Sequence, residues 1–348
     1  MNELDQNNYT VLESQNGQRL DHFLNTIYLD VSRSYLQKEL IQAGNVLVND
    51  KPVVKKSFVL FAGDQIKILS FVHPESRKIE ANTTLKVSSL YSDENFVVYN
   101  KPKKLATHPN RYDDKTTLAN YFIAEYPNAI NVGENALRPG VVHRLDTDTS
   151  GCIIFAKTQE AYTHFRTLFN ERKVYKLYLA VVIGKTPQKG LIDSDLAHHQ
   201  KNTRKMVNVL NEDSFYRGQK KNAVTAYHVL AQNNDYSLLL VKTFTGRMHQ
   251  IRVHLSGLGY PLIGDKIYQK RQDQYKDVAG EKQHCLHAYL LGFNSPKFNK
   301  KIFQAEIPEY FRNILLKTKL TYKTINSQLL FLSIQEFLDS LPFVDQDV

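Results

Sequence analysis

A polar turn between two apolar segments constrains this chain more than any other feature of its sequence. Residues 143–151 contain His, Arg and two Asp residues among Thr, Ser and Gly, after Val141-Val142 and before the strand-like segment 152–155. A tight connection between strands exposes its polar side chains, while the strands fix their positions. The sequence therefore predicts a turn that belongs to a sheet and presents these side chains for chemistry.

Two simpler interpretations of this turn compete with a catalytic one. Asp146, Asp148 and Ser150 have the spacing that opens a calcium-binding loop. The twelfth position of such a loop must supply a bidentate Glu, and here it is Lys157. Calcium is therefore disfavoured, and we expect no metal site. On local chemistry alone an ordinary turn stays open, in which the Asp and Ser side chains bond only to nearby backbone groups.

The size and charge of the chain narrow the possible classes of protein. With 348 residues, 42% of them apolar, the chain can form one large domain and one small one. Its 45 basic and 35 acidic residues give a formal charge of +10, which favours nucleic acid or a membrane surface as partner. No apolar run is long enough to cross a membrane, and the polar start lacks a secretory signal. We expect a cytoplasmic protein, in which Cys152 and Cys285 are free, buried thiols.

Residues 17–72 predict a small unit of helices and strands. A first helix begins at Arg19-Leu20-Asp21, and a second follows the capping segment Ser32-Arg33-Ser34. A strand and a turn over 44–52 complete the pattern. Over nearly all of the unit's length, these segments resemble an S4 RNA-binding domain of the αL type.

The S4 resemblance implies which side chains of this unit contact RNA. Arg33, Gln37 and Lys38 lie at the exposed start of the second helix, where cations and helix N–H groups can both meet a phosphate. Arg19 is assigned to the same RNA-binding set. The alternative is a solvated helix face, which runs of charged residues usually form.

The rest of the chain predicts a larger α+β domain. Residues 1–16 form a polar tail and residues 73–84 a linker, so the larger domain covers 85–317. Residues 318–348 form a C-terminal extension with an amphipathic helix over 328–341. Within the domain, apolar spacing predicts a strand over 96–99, a helix over 158–172, a strand over 176–182, a hairpin over 224–241 and a helix over 248–258.

Several ordered motifs of this domain resemble the RluA-type pseudouridine synthases. The longest is the run 143–151, His-Arg-Leu-Asp-Thr-Asp-Thr-Ser-Gly. Further matches are, in chain order, Asn100-Lys101-Pro102, the tyrosine motif 176–184, the basic motif 245–255, Gly264-Asp265 and Leu286-His287-Ala288. The resemblance spans about 85–316 and implies a mixed, mostly antiparallel sheet flanked by helices.

The same resemblance implies roles for individual residues. Asp146 matches the catalytic aspartate, Tyr178 the active-site tyrosine, and Arg252 the cation that pairs with the aspartate. Arg247, at the start of the same helix, is the alternative partner; otherwise it contacts substrate phosphate or supports the site. An ionised carboxylate suits a reaction that develops positive charge on a sugar or attacks a base. Without the motif, Tyr178 would more simply be a core residue of a strand.

Residues that bind the RNA are also implied. Arg144, beside Asp146, matches the residue that fills the space left by an extruded uridine or holds that nucleotide, and His143 is assigned to the same contact. A basic stretch with interleaved aromatic residues predicts a loop that grips phosphate, although a solvated loop is the usual alternative. Its cations are Lys201, Arg204, Lys205, Arg217, Lys220 and Lys221.

The function that follows is the isomerisation of specific uridines in structured RNA to pseudouridine. Ribosomal RNA is the first candidate substrate and transfer RNA the second. The reaction replaces a C–N bond by a C–C bond without redox change, so we expect no cofactor. Two alternatives stay open: a nucleic-acid N-glycosidic hydrolase, which would release the base, and an S4-type RNA-binding protein without catalysis. We expect a monomer that binds no membrane.

Overall fold

A computed structural model describes residues 7–73, 78–209, 215–269 and 284–320. The chain divides into two compact units, residues 1–78 and 79–348, and each is described by itself. The predicted amphipathic helix over 328–341 lies outside the described residues. No helix in the described ranges is both long and apolar enough to cross a membrane.

The first unit packs short helices on a small antiparallel sheet. Its helices are α1 (Leu20–Ile27) and α2 (Arg33–Leu36), and α2 continues as a π-helical segment, Gln37–Gln42. Its strands are β1 (Asn8–Thr10), β2 (Val46–Val48), β3 (Lys51–Pro52) and β4 (Gln65–Ile68), in the spatial order β1-β4-β2-β3. The Ser32 hydroxyl accepts the Tyr35 N–H, which confirms the predicted cap. Leu20, Leu36 and Leu40 are fully buried in the core between these layers.

The second unit is built on one large mixed sheet. Its strands are β5 (Ser89–Ser92), β6 (Phe96–Lys101), β7 (Ser150–Ala156), β8 (Val174–Ile183), β9 (Lys189–His199), β10 (Met206–Val209), β11 (Tyr216–Gln232), β12 (Tyr236–Thr243), β13 (Leu286–Phe293) and β14 (Lys301–Gln304). The order is β10-β9-β11-β12-β8-β13-β7-β6-β5, with β14 paired to β13. Among the described strands, only β7 and β13 pair in parallel. The predicted mixed, mostly antiparallel sheet is therefore confirmed.

Helices cover both faces of this sheet. They are α3 (Leu118–Glu125), α4 (Gln159–Asn170), α5 (Gln250–Gly257) and α6 (Glu309–Lys317). Alternate residues of a strand point to opposite faces, and β8 is buried on both: Leu177 and Leu179 pack in one cluster with α6, whereas Ala180 packs in another with α5. The central strand thus fixes α5 over one face of the sheet, where its first turn reaches the polar turn 143–149.

The basic stretch is not the single loop that the sequence predicted. Lys201 and Arg204 do lie in the connection between β9 and β10, but Arg217, Lys220 and Lys221 belong to β11, which pairs with β9. A register shift lies between Arg217 and Lys221, so the extra residues of β11 are accommodated as a bulge. The interpretation as one loop was wrong because β11 is far longer than the predicted hairpin strand.

Gly151 should tolerate no side chain. It has φ +108° and lies opposite Ala288 in the parallel pair, where a Cβ would be 2.1 Å from the Ala288 carbonyl oxygen. We expect Gly151→Ala to lower the free energy of unfolding by about 3 kcal/mol through strain and overpacking. Gly246→Ala is the matched control, because its Cβ would meet only Lys176 Nζ, at 3.7 Å. Equal urea midpoints for the two variants would contradict the prediction.

Candidate functional site

A cationic cleft of about 460 Å³ opens where the polar turn, β8 and the start of α5 meet. Its basic lining residues are Arg138, Arg144, Arg166, Arg172, Lys176, Arg247 and Arg252. Among the described lining residues, Asp146 is the sole carboxylate. Such a charge distribution attracts a polyanion and leaves one negative side chain at the centre of the cleft.

Asp146 is part of a buried array of one cation and two carboxylates. Arg252 Nη1 donates a hydrogen bond to Asp146 Oδ2 at 2.9 Å. The other edge of the same guanidinium donates to both oxygens of Asp265, at 2.7 and 2.9 Å. The side chains of Asp146, Arg252 and Asp265 are 17%, 6% and 0% exposed. Asp265 therefore holds the guanidinium in the orientation in which Nη1 can bond to Asp146. The Asp146 carboxylate remains accessible from the cleft.

This array keeps Asp146 ionised. Burial alone would raise the pKa of its carboxyl, but the charges of His249 and Arg252 and the hydrogen bond from Arg252 together hold that pKa below its ordinary value. Arg252 is the partner that stays charged at neutral pH, because burial lowers the pKa of His249. A carboxylate that is ionised, desolvated and open on one side can act as a nucleophile or stabilise a developing cation.

A buried lysine fixes the backbone of the polar turn. Lys101, fully buried at the end of β6, donates to three backbone carbonyl groups at 2.8 to 3.1 Å, among them that of Thr147. Thr107 Oγ donates to the Leu145 carbonyl and accepts the Leu145 N–H. These bonds secure the backbone on both sides of Asp146, so its carboxylate is held in one place.

Tyr178 of β8 lines the cleft together with the polar turn. It is partly buried on β8, between Val241 of β12 and Ala288 of β13. Burial, and secondarily the charge of Asp146, raise the pKa of its hydroxyl well above the usual value, although a hydrogen bond with Thr243 opposes the shift. Tyr178 is therefore a neutral phenol with a ring available for stacking.

The other predicted residues of the turn, and Arg247 before α5, have distinct surroundings. Arg144 is exposed and lines the cleft beside Asp146. His143 also lines the cleft, but its Nε2 accepts the Ile154 N–H at 3.0 Å and its ring stacks on Phe169, so it also braces the turn. Arg247 Nε donates to the Asn222 carbonyl at 3.1 Å, so its guanidinium is held by β11 while it lines the cleft.

The predicted RNA-binding residues of the first unit gather around one buried carboxylate. Asp21 is fully buried and accepts hydrogen bonds from Arg19, at 3.0 and 3.1 Å, and from Gln37, at 2.6 Å. Arg33 Nε lies 3.7 Å from the same carboxylate. The Arg19 and Arg33 side chains are about half exposed, so Asp21 presents two guanidinium groups to solvent in a fixed arrangement. Lys38 lies apart, paired with Glu39 at 3.2 Å.

The last predicted RNA-binding residue, Lys205, precedes β10, and its Nζ lies 5.9 Å from the centre of the Tyr268 ring. Sequence reasoning assigned no role to Asp265, Lys101 or His249, although all three fall within the matched motifs. Asp265 lies 13 residues from Arg252, and no spacing in the sequence pairs them; the structure shows that it offsets the desolvation of a buried cation whose other partner, Asp146, is partly exposed.

Comparisons with known proteins agree on one family. Residues 95–257 match the family model for RNA pseudouridylate synthases, and residues 18–66 match that for the S4 domain. An uncharacterized RNA pseudouridine synthase of Aquifex aeolicus is 35% identical over 304 residues, which cover 85% of this chain and 92% of that protein. The ribosomal large subunit pseudouridine synthase D of Vibrio parahaemolyticus is 33% identical, with 86% and 90% covered. The solved structure of human RNA pseudouridylate synthase domain containing 1 aligns with a TM-score of 0.55 and 26% identity, over 77% of this chain and all of that one.

Proposed function

The chain belongs to the RNA pseudouridylate synthase family and carries an S4 domain, and from this premise we propose that it converts specific uridines of ribosomal RNA to pseudouridine, with Asp146 as the reacting carboxylate. The observation that carries the proposal is the Asp146–Arg252–Asp265 array, which holds one ionised carboxylate in an otherwise cationic cleft. The S4 domain and the names of the Vibrio parahaemolyticus relative and its counterparts favour ribosomal over transfer RNA.

Each group at the cleft has a task in this reaction. Asp146 attacks C6 of the uracil or C1′ of the ribose, and Arg252 keeps it ionised until it does so. Tyr178 stacks on the extruded uracil. Arg144, exposed next to Asp146, occupies or borders the space that the uridine leaves, which offsets part of the few kcal/mol that extrusion costs. Because uridine and pseudouridine are isomers at one oxidation level, these side chains supply the chemistry without a cofactor.

A comparison of RNA from cells with and without the protein tests the proposal directly. Pseudouridines are mapped by carbodiimide labelling and primer extension across ribosomal and transfer RNA, in wild type and in a deletion strain. We expect at least one ribosomal site to be lost, then restored by the wild-type chain but not by Asp146→Asn. Loss of transfer RNA sites alone would overturn the ribosomal assignment. Abasic sites in place of pseudouridine would identify a hydrolase instead.

Arg33 should contribute to binding through a phosphate. Arg33→Gln removes a half-exposed cation and leaves Asp21 paired with Arg19 and Gln37. We expect weaker binding of ribosomal RNA fragments. The plot of the logarithm of the binding constant against the logarithm of the salt concentration should have a slope shallower by about 1, because one fewer counterion is released. Lys67→Gln removes an exposed cation of β4 on the sheet face opposite the helices, and this control should leave the slope unchanged. An equal slope for Arg33→Gln would exclude a phosphate contact.

A further inference from the structure

His249 lies at the edge of the cleft in an uncommon backbone conformation. It precedes α5 and has φ 56° and ψ 19°, a left-handed region that few residues other than Gly adopt, although Asn, Asp and His do so more often than most. Its ring lines the cleft. Non-glycine residues in this region are common at active sites.

The two ring nitrogens of His249 have different surroundings. Nδ1 lies 2.8 Å from the Tyr268 hydroxyl, which also accepts the Met206 N–H at 2.8 Å. Nε2 lies on the cleft side, 3.8 Å from Asp146 Oδ2, and the side chain is 13% exposed. Nδ1 is thus hydrogen-bonded to Tyr268, and Nε2 lies close to the reacting carboxylate. A ring whose Nδ1 donates to Tyr268 presents the Nε2 lone pair to the cleft.

The reaction requires a proton transfer from carbon, for which the neutral phenol of Tyr178 is a weak base. When C1′–N1 has broken and C1′–C5 has formed, C5 still carries its hydrogen, and the ring has a double bond between N1 and C6. To form pseudouridine, the electron pair of C5–H becomes the C5–C6 double bond, and the N1–C6 pair moves to N1, which takes a proton. One proton therefore leaves C5 and one arrives at N1, with no net gain or loss.

Resting on the proposed function, we propose that His249 Nε2 removes the proton from C5 and delivers one to N1. The position fits either attack by Asp146. If the carboxylate attacks C6, then C5 is the neighbouring ring atom; if it attacks C1′, then C5 becomes bonded to that carbon. N1 and C5 both flank C6, so a single nitrogen beside Asp146 can serve both. His249 ends the cycle in the protonation state in which it began.

The charges around His249 set the protonation state that this step needs. The groups that face it are Asp146 and Arg144 of the turn, Arg252 of α5, and Asp265, Tyr268 and His284. Burial lowers its pKa below 6.5, and the opposing effect of Asp146 does not reverse the shift. The imidazole is therefore a neutral base at pH 7, and acid should block it, because a proton on Nε2 removes the lone pair. We expect the wild-type rate to fall in acid, at a pH below the ordinary pKa of histidine.

The decisive variant is His249→Gln, compared on two RNA substrates in single turnover. On uridine RNA we expect the maximal single-turnover rate to fall about 100-fold, with little change in the enzyme concentration that gives half of that rate. We also expect an increased isotope effect when C5 carries deuterium, and loss of the fall in rate that wild type shows in acid. On the same RNA with 5-fluorouridine at the target, C5 carries no proton. Wild type and variant should therefore rearrange that substrate at equal rates.

Two further variants separate proton transfer from positioning. His249→Asn suits the left-handed backbone and can bond to Tyr268, so it should fold like wild type and show the same defect as His249→Gln. Tyr268→Phe keeps the imidazole and should lose less activity than either. Equal losses on uridine and 5-fluorouridine RNA, or retained kcat on uridine RNA, would overturn the role of His249. A wild-type chain inert on every uridine RNA would instead overturn the proposed function itself.

Discussion

Asp146→Asn should abolish turnover and leave RNA affinity almost unchanged. The amide has nearly the shape of the carboxylate but cannot form an ester-like adduct or carry the charge that stabilises an oxocarbenium ion. We expect kcat to fall by about 10⁴-fold or more, as when other covalent catalysts lose their nucleophile. Affinity should hold because the cations of the cleft and of the first unit remain. Single-turnover pseudouridine formation and filter binding on one RNA measure both quantities.

Asp148→Asn is the matched control for this experiment. Asp148 lies two residues further along the same turn and is partly buried, but it does not line the cleft. Burial raises its pKa, so the carboxyl is less strongly acidic than that of Asp146. We expect turnover within a few-fold of wild type. Turnover retained by Asp146→Asn, or lost equally by both variants, would remove Asp146 from the mechanism.

Arg252→Met should damage both stability and activity. Removal of the guanidinium leaves Asp265, which is fully buried, without its bidentate partner, and a buried carboxylate stripped of its cation costs about 3–5 kcal/mol. Asp146 loses the cation that holds its pKa down, so burial then raises that pKa. The carboxylate is protonated at a higher pH than before, and activity is therefore lost at a higher pH as acid is added.

The double variant Arg252→Met/Asp265→Asn separates the two effects. It removes the stranded charge at Asp265, so urea denaturation should show part of the lost stability recovered. It returns no cation to Asp146, so turnover should stay low. Recovery of turnover together with stability would mean that Arg252 acts on the fold alone and not on the reacting carboxylate.

Local patterns in the sequence could predict much of the fold and the centre of the candidate site. Helical spacing around Ile251 and Leu255 indicated α5, and the apolar run 176–182 indicated β8. The helix and the strand depend on spacing within a few residues, which periodicity records. The turn around Asp146 was located by its resemblance to a known family, since its supports Lys101 and Thr107 are distant in the sequence.

The remaining parts depend on contacts that periodicity does not record. Asp265 is matched to Arg252 only in space, and His249, with its left-handed backbone, bonds to Tyr268, which lies 19 residues further along the chain. The length of β11 follows from its pairing with β9, since residues as polar as Lys220 and Lys221 have little intrinsic tendency to form strands. In β11, pairing with a neighbouring strand overrode local propensity.

The parallel pairing of β7 with β13 has a consequence for the newly made protein. The turn of Asp146 is completed by bonds from Thr149 to His284 and from Ser150 to His287, across separations of 135 and 137 residues. Contacts of such long range form late, because the intervening chain must first be ordered. A ribosome-bound chain that ends before His284 therefore has its S4 domain and its Asp146 but an unfinished turn. We expect such nascent chains to hold RNA without modifying it, so activity begins only when nearly the whole domain has been synthesised.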